Sequence, residues 1–225
     1  MNASAVTVAL AALIPLVLLM LTSFVKVSVV LALLRNAIGT PEAPSGLVVM
    51  GISLVLTFFV MAPVAVDMIN AAAAEPVPAP ATTPPTTPDV EGAVRTLAGP
   101  EHQGDIDRAA KAIVPLRAFL TKHASERDRE TFTATSKELG RTTKGDETWV
   151  LAPAFLATEL REAFAIAVLL FVPFLVIDLV VGLGLAALGL QSSSPDRIAL
   201  PLKLLLFVSI DGWRLLLDSL LRGYV

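Results

Sequence analysis

Apolar residues are gathered into long stretches, separated by short polar turns and by one long hydrophilic segment. The first stretch covers residues 5–34 and the second covers 47–69, with a turn rich in Gly and Pro at 39–46. Each stretch is at least as long as the roughly 20 residues that a helix needs to cross a bilayer. Because the connection is short, the pattern predicts an antiparallel helical hairpin.

A second pair of apolar stretches lies within 153–221, on either side of a polar loop at 191–197. Ionisable residues interrupt these stretches, and at mid-bilayer each would cost at least about 2.5–3.5 kcal/mol. They must therefore meet partners, line a wet space or lie outside lipid. These residues are Glu159, Arg161, Glu162, Asp178, Lys203 and Asp211.

The segment between the two hairpins is of a different composition. Residues 75–88 are rich in Pro, Thr and Ala, which is typical of an extended linker. Farther along, apolar residues at helical spacing predict one amphipathic helix; they are Ile113, Leu116, Phe119 and Leu120. The chain is thus predicted to be all-α and membrane-associated, with an apolar hairpin at 1–70, a hydrophilic and partly helical insert at 71–150 and a second hairpin at 151–225.

Composition narrows the class of protein further. Of the 225 residues, 55% are hydrophobic and 16% are charged, against about 25% charged in ordinary soluble domains. The net charge of −3 provides no basic field for nucleic acid. Since there is no Cys, disulfides and zinc fingers are excluded. The N-terminus has no positive region before its apolar run, so we interpret it as an uncleaved first helix.

Candidate chemistry is sparse. Glu159 and Glu162 form a carboxylate pair of the kind used in acid–base catalysis, but no nucleophile or Gly-rich phosphate loop accompanies them. His102 and His123 have no partner at metal-ligand spacing and are expected at the surface. We therefore expect neither an enzyme nor a bound cofactor or metal.

Two charged positions leave alternatives open. Lys26, deep in the first apolar run, either extends toward a membrane surface or is a buried cation facing a neighbouring subunit. Asp178 follows Pro173, where a helix can break. It is either a proton or ion site at a broken helix or, the alternative we favour, part of a structural ion pair that fixes subunit contacts. Candidate cations for that pair are Lys203, Lys26 and Arg214.

The last apolar run carries charges at helical spacing. Asp211, Arg214, Asp218 and Arg222 are separated by 3, 4 and 4 residues, which predicts one stripe on one helix. Within it, Arg214 and Asp218 are expected to pair. Trp213 and Tyr224 are interpreted as interfacial anchors, with core packing as the alternative for Trp213.

Several segments together resemble the FliP/SctR family, the export-gate subunits of flagellar and virulence type III secretion. Residues 22–39 read TSFVKVSVVLALLRNAIG and 56–64 read LTFFVMAPV. Between 153 and 213 the order is PAF-x2-TEL, AF-x-I, PF-x3-D, LG, P, I, LP-x-K-x3-FV-x2-DGW. The absence of a signal-peptide pattern favours the virulence branch.

The resemblance implies five copies coiled into a ring that SctS-like and SctT-like small membrane proteins complete. Such a ring conducts unfolded proteins across the bacterial inner membrane, sits largely on its periplasmic side, and has the insert facing the periplasm. Charged residues would then join subunits, with Lys203 near Glu159 or Asp178 of a neighbour. The predicted inter-subunit set is Lys26, Glu159, Arg161, Glu162, Asp178, Lys203, Asp211 and Arg214.

The loop between the last two apolar runs is the pore loop by the same resemblance. It comprises Leu190, Gln191, Ser192 and Ser193 within 190–196. The family usually has methionines here, forming a deformable seal, and this sequence departs from that pattern. Either another subunit closes the pore or closure is looser; without the resemblance the loop reads as an ordinary hairpin turn.

Two other functions remain open from the residues alone. One is a small-molecule or ion permease that uses buried Asp178 and Lys203 as coupling sites. The other is a membrane scaffold without a pore. Transport by the isolated chain would favour the permease, and contact between the pore loop and a translocating polypeptide would favour the conduit.

Overall fold

The computed structural model describes residues 15–39, 45–73, 103–190 and 194–225, and the regular elements in these ranges are all helices. Seven helices are named here, namely α1 (Phe24–Ile38), α2 (Gly46–Ala73), α3 (Gln103–His123), α4 (Glu126–Glu138), α5 (Thr148–Ala187), α6 (Asp196–Ser209) and α7 (Gly212–Arg222). The all-helical prediction is confirmed, as is the amphipathic helix of the insert, which is α3. Ring formation stays a prediction.

Proline does not end the apolar helices. A proline inside a helix ordinarily kinks or ends it, but α2 continues through Pro63 to Ala73. The break considered at Pro173 is likewise absent, because α5 runs without interruption for 40 residues. A proline costs a helix about 3 kcal/mol through one lost hydrogen bond and a local clash. Both helices have further hydrogen-bonded turns on either side of the proline, so this single local cost does not end them.

The last apolar run is divided instead of forming one helix. Asp211 has φ 52° and ψ 51°, a left-handed conformation that Asp tolerates better than most residues, and it separates α6 from α7. A Cβ on Gly212 would lie 2.3 Å from the ring of Phe207, so only glycine fits there. The Trp213 ring then meets the Phe207 ring edge-on at 5.5 Å. The DGW sequence is therefore a corner between two helices.

The chain forms two compact units, Met1–Val60 with Glu159–Val225, and Met61–Thr158. In the first, called the gate unit here, α6 packs against α7 and against α1. Its core is a cluster of buried apolar side chains from α1, α2, α5, α6 and α7. They are Val27, Val30, Leu31, Leu34, Ala37, Ile38, Val49, Ala163, Phe174, Phe207, Leu216 and Leu220.

The second unit, called the insert unit here, joins α3 and α4 to the first turns of α5. Its apolar contact brings the rings of Phe119 and Phe155 to 5.6 Å. Polar groups complete the packing: Thr158 donates a hydrogen bond to Asp128 at 2.6 Å and accepts one from the Ser125 amide at 2.9 Å. Ser125 also caps α4 by accepting from the Asp128 amide. The helix start and α5 are thus tied by one small network.

A turn before α5 is organised around Glu147. Its carboxylate accepts hydrogen bonds from the Thr143 hydroxyl and from the Lys144 and Gly145 amides, the latter two at 3.0 Å. Burial raises the pKa of Glu147, but these hydrogen bonds outweigh it and lower the pKa from 4.5 to about 2. The ionised carboxylate therefore stabilises the turn.

Candidate functional site

The first buried ionic cluster of the gate unit is built on α1. Lys26 belongs to the buried face of that helix and is 1% exposed. Its ammonium Nζ lies 3.1 Å from Oε1 of Glu159 and 2.7 Å from Oε2 of Glu162, both on α5. Glu159 is 1% exposed whereas Glu162 is 48% exposed. One buried cation is therefore shared by a buried carboxylate and a carboxylate that water reaches.

Tyr224 completes this cluster, which we call the Lys26 cluster: Lys26, Glu159, Glu162 and Tyr224. The Lys26 ammonium lies 4.2 Å from the centre of the Tyr224 ring, within cation–π range. The Tyr224 hydroxyl donates a hydrogen bond to Oε2 of Glu159. Burial, followed by the negative charge of Glu159, raises the pKa of Tyr224, so the hydroxyl keeps its proton and remains a donor.

The second cluster joins three helices through Lys203 of α6. Its ammonium lies 2.7 Å from Oδ2 of Asp178 on α5 and donates to the Ala37 carbonyl at 3.2 Å. That carbonyl is in the last turn of α1, where a cation complements the helix dipole. The Lys203 side chain is 8% exposed and that of Asp178 is 44% exposed. This pair is buried at its cationic end only.

The ion pairs that the structure contains lie within one chain. Lys26 meets Glu159 and Glu162, and Lys203 meets Asp178, so neither lysine needs a second copy to be neutralised. Of the two readings of Lys26, extension toward a membrane surface is not what the structure shows, since the ammonium is enclosed. That these groups also face a neighbouring subunit stays a prediction.

The remaining predicted residues lie elsewhere. Arg161 and Arg214 are exposed, and Asp211 is exposed at the corner before α7 rather than on one stripe with Arg214. Asp218 pairs with Arg222 at 2.7 Å, so the expected Arg214–Asp218 pair is wrong. Of the pore loop, Leu190 is exposed just beyond α5, while Gln191, Ser192 and Ser193 lie outside the described residues.

Sequence reasoning missed the roles of Tyr224 and Thr158. Tyr224 was interpreted as an interfacial anchor, although it is the only tyrosine of the chain and follows a helix that carries apolar residues on one face. Thr158 stands beside Glu159 in the PAF-x2-TEL pattern, but its partner Asp128 is 30 residues away. Neither contact has a local spacing rule that would reveal it.

Among the residues that the structure describes, two helices, α2 and α5, are long and apolar enough to cross a membrane by length and composition. In the most apolar 18-residue segment of each helix, only 17% of the segment in α2 and 11% of that in α5 is buried inside the protein. Large apolar side chains therefore cover much of their surface, a feature that marks contact with lipid or with other proteins. Within the described ranges, no group of three or more His, Cys, Asp or Glu side chains is arranged to hold a metal ion.

Comparison with known proteins gives one family. The FliP family model matches residues 7–220. Pathogenicity-related ORF2 of Xanthomonas campestris pv. glycines is 38% identical over 224 residues, or 97% of this chain and 94% of that protein. Hypersensitivity response secretion protein HrcR of Ralstonia nicotianae is 37% identical over 228 residues, which cover 99% of this chain and 97% of that protein.

A flagellar relative is similar over a smaller part of its own length. Flagellar biosynthetic protein FliP of Pectobacterium carotovorum subsp. carotovorum is 41% identical over 215 residues, covering 93% of this chain and 73% of that protein. Identity alone thus ranks this flagellar protein above Pathogenicity-related ORF2 and HrcR. Coverage ranks it below them, because the chain aligns with nearly the whole of each pathogenicity protein.

Proposed function

The chain belongs to the FliP family, and from that premise we propose that it is a core subunit of a type III secretion export gate. In this role it forms, with further copies and SctS-like and SctT-like subunits, the pore through which unfolded proteins cross the bacterial inner membrane. The observation that carries the proposal is the family match over residues 7–220. The coverage of the pathogenicity relatives supports use in virulence secretion.

The surface of the gate unit supports membership of a larger assembly. Phe58, Phe59 and Leu169 are among many large apolar side chains exposed on α2 and α5. Exposed apolar surface of that extent requires lipid or protein to cover it. The two buried lysines beneath this surface are paired with carboxylates, which lowers the cost of placing them in an apolar environment.

The length of α5 supports a position partly outside the bilayer. Its 40 residues extend about 60 Å at 1.5 Å per residue. A typical hydrocarbon core is about 30 Å thick. A segment of comparable length therefore projects beyond the lipid or lies beside other subunits, in keeping with an assembly largely on the periplasmic side.

The permease alternative is less well supported. Lys203 is engaged by Asp178 and by the Ala37 carbonyl, and the latter ties it to the end of α1. A coupling ion would have to displace a charge that also holds two helices. The isolated chain, purified and placed in liposomes, is therefore expected to transport no small ion.

Photocrosslinking tests the conduit directly. A photoreactive residue replaces Leu190, the first residue of the pore loop, and in a matched variant it replaces Leu139, an exposed leucine of the insert unit. With a secretion substrate stalled during export, we expect crosslinks to the substrate from position 190 and none from 139. Efficient assembly and secretion with no crosslink from position 190 would refute the conduit.

A further inference from the structure

The residues after α7 return to the Lys26 cluster. Tyr224 contributes both a ring beneath the ammonium and a hydroxyl on Glu159. Gly223 lies against the same groups, since a Cβ there would be 3.1 Å from Lys26 Nζ and 3.7 Å from Oε2 of Glu162. Two consecutive residues thus meet the cluster from the end of α7.

We propose that Tyr224 is a positioning residue that latches α7 onto the Lys26–Glu159 ion pair and closes that pair off from water. The helix needs such an anchor because it has only 11 residues, and helices that short are marginal alone in water. Its N-cap, Asp211, makes no capping hydrogen bond from its side chain. Leu216 and Leu220 bury one face, and Tyr224 fixes the C-terminal end.

Gly223 is needed in this latch for its size, not its backbone conformation. Its φ of −66° is accessible to any residue. The missing side chain leaves the space in which the Lys26 ammonium sits, as the 3.1 Å approach shows. An alanine at this position would press on the ammonium without straining the backbone.

The latch joins parts of the chain that are far apart in sequence. Lys26 is on α1 and Glu159 on α5, and both precede Tyr224. In the folded gate unit the tyrosine therefore contacts groups from two other helices at once. This role concerns the fold of the chain and does not depend on its forming an export pore.

Hydrogen exchange of the full chain in detergent tests the latch. Tyr224→Phe keeps the ring and removes only the hydroxyl, whereas Tyr224→Ala removes both. We expect the amides of α7 to exchange several-fold faster in the first variant and about tenfold faster in the second. Amides of α4, in the insert unit, serve as the internal reference and are expected to keep their wild-type rates.

A glycine pair provides the matched control. Gly223→Ala is expected to accelerate exchange in α7, whereas Gly182→Ala, where a Cβ would meet nothing within 4 Å, is expected to leave it unchanged. Should Tyr224→Ala unfold the whole chain, Tyr224→Phe and Gly223→Ala decide the question. Wild-type exchange of α7 in both of these variants would overturn the proposal.

The single tyrosine offers a second, spectroscopic readout. Fluorotyrosine incorporated into this chain gives one fluorine resonance, since Tyr224 is the only tyrosine. If the ring lies under the ammonium, Lys26→Met shifts this resonance, and Lys203→Met, which alters the other cluster, does not. A resonance at the position of unfolded fluorotyrosine in the native protein would equally overturn the latch.

Discussion

Two lysines of the gate unit meet carboxylates in similar ways but in different surroundings. Lys26 and its partner Glu159 are both enclosed, and a second carboxylate and an aromatic ring surround the same ammonium. Lys203 is enclosed too, yet water reaches its partner Asp178. The comparison teaches that the cost of breaking an ion pair is set by the group left behind. An enclosed carboxylate cannot recover its hydration, whereas a half-exposed one can.

The largest effect is expected from Lys26→Met, which keeps most of the side-chain volume and removes the charge. Glu159 would then be buried without its cation, so we expect the free energy of unfolding to fall by about 3–5 kcal/mol. Chemical denaturation in detergent, followed by helical circular dichroism, measures this loss.

The double variant Lys26→Met with Glu159→Gln is the control for that experiment. It removes both charges and is expected to recover much of the lost stability. If the single and the double variant are equally unstable, the loss comes from packing and not from an uncompensated charge.

A smaller effect is expected from Lys203→Met, about 2 kcal/mol. Asp178 can rehydrate, and the main loss is the cation at the Ala37 carbonyl and the end of α1. The same denaturation experiment applies. A loss as large as that for Lys26→Met would abolish the distinction drawn between the two pairs.

In the insert unit, the corresponding test removes a neutral hydroxyl, that of Thr158, instead of a charge. Thr158→Val preserves shape and removes the hydrogen bonds to Asp128 and from the Ser125 amide. Because Asp128 keeps the Ser125 hydroxyl, at 2.8 Å, we expect a loss of about 1–2 kcal/mol. Faster hydrogen exchange at the start of α4 with α7 unaffected would confirm it, and unchanged exchange in α4 would contradict it.

The smallest expected effect is an acid sensitivity at Glu147. Its folded pKa of about 2 lies below the ordinary 4.5, so its contribution is complete above pH 4.5 and is lost as pH falls toward 2. Because the side chain is partly solvated, we expect Glu147→Gln to cost about 1 kcal/mol at pH 7. The difference in stability between wild type and variant should shrink on acidification, and a constant difference would count against the ionised turn.

The sequence predicted more of the fold than of the site. The apolar runs, where the structure describes them, and the spacing of Leu116, Phe119 and Leu120 are local patterns, and they correspond to helical structure as expected. Most of the turn at 39–46 lies outside the described residues. The motifs also identified the FliP/SctR family, which the match over residues 7–220 confirms. The ion-pair partners of the lysines were harder to predict, because the carboxylates that contact Lys26 are more than 130 positions away in sequence.

Where prediction failed, a rule based on sequence spacing or on residue type did not decide the structure. Pro63 and Pro173 carry a local penalty, but the helices around them continue. Asp211 matched a helical stripe by spacing, yet the close contact of Gly212 with Phe207 places it at a corner. Arg214 had the right spacing for Asp218, but Arg222, also four residues away, makes the pair.

The amino-acid sequence by itself determined that this chain is helical and apolar, that its helices carry ionisable groups, and to which family it belongs. These properties follow from composition, period and motif, all of which are written along the chain. Tertiary structure alone decided that Lys26 meets Glu159, that Lys203 meets Asp178, and that Tyr224 closes the first pair. The reason is physical. A buried charge in the sequence implies that a group of opposite charge lies close to it, but only the packing of distant helices determines which group comes within about 3 Å.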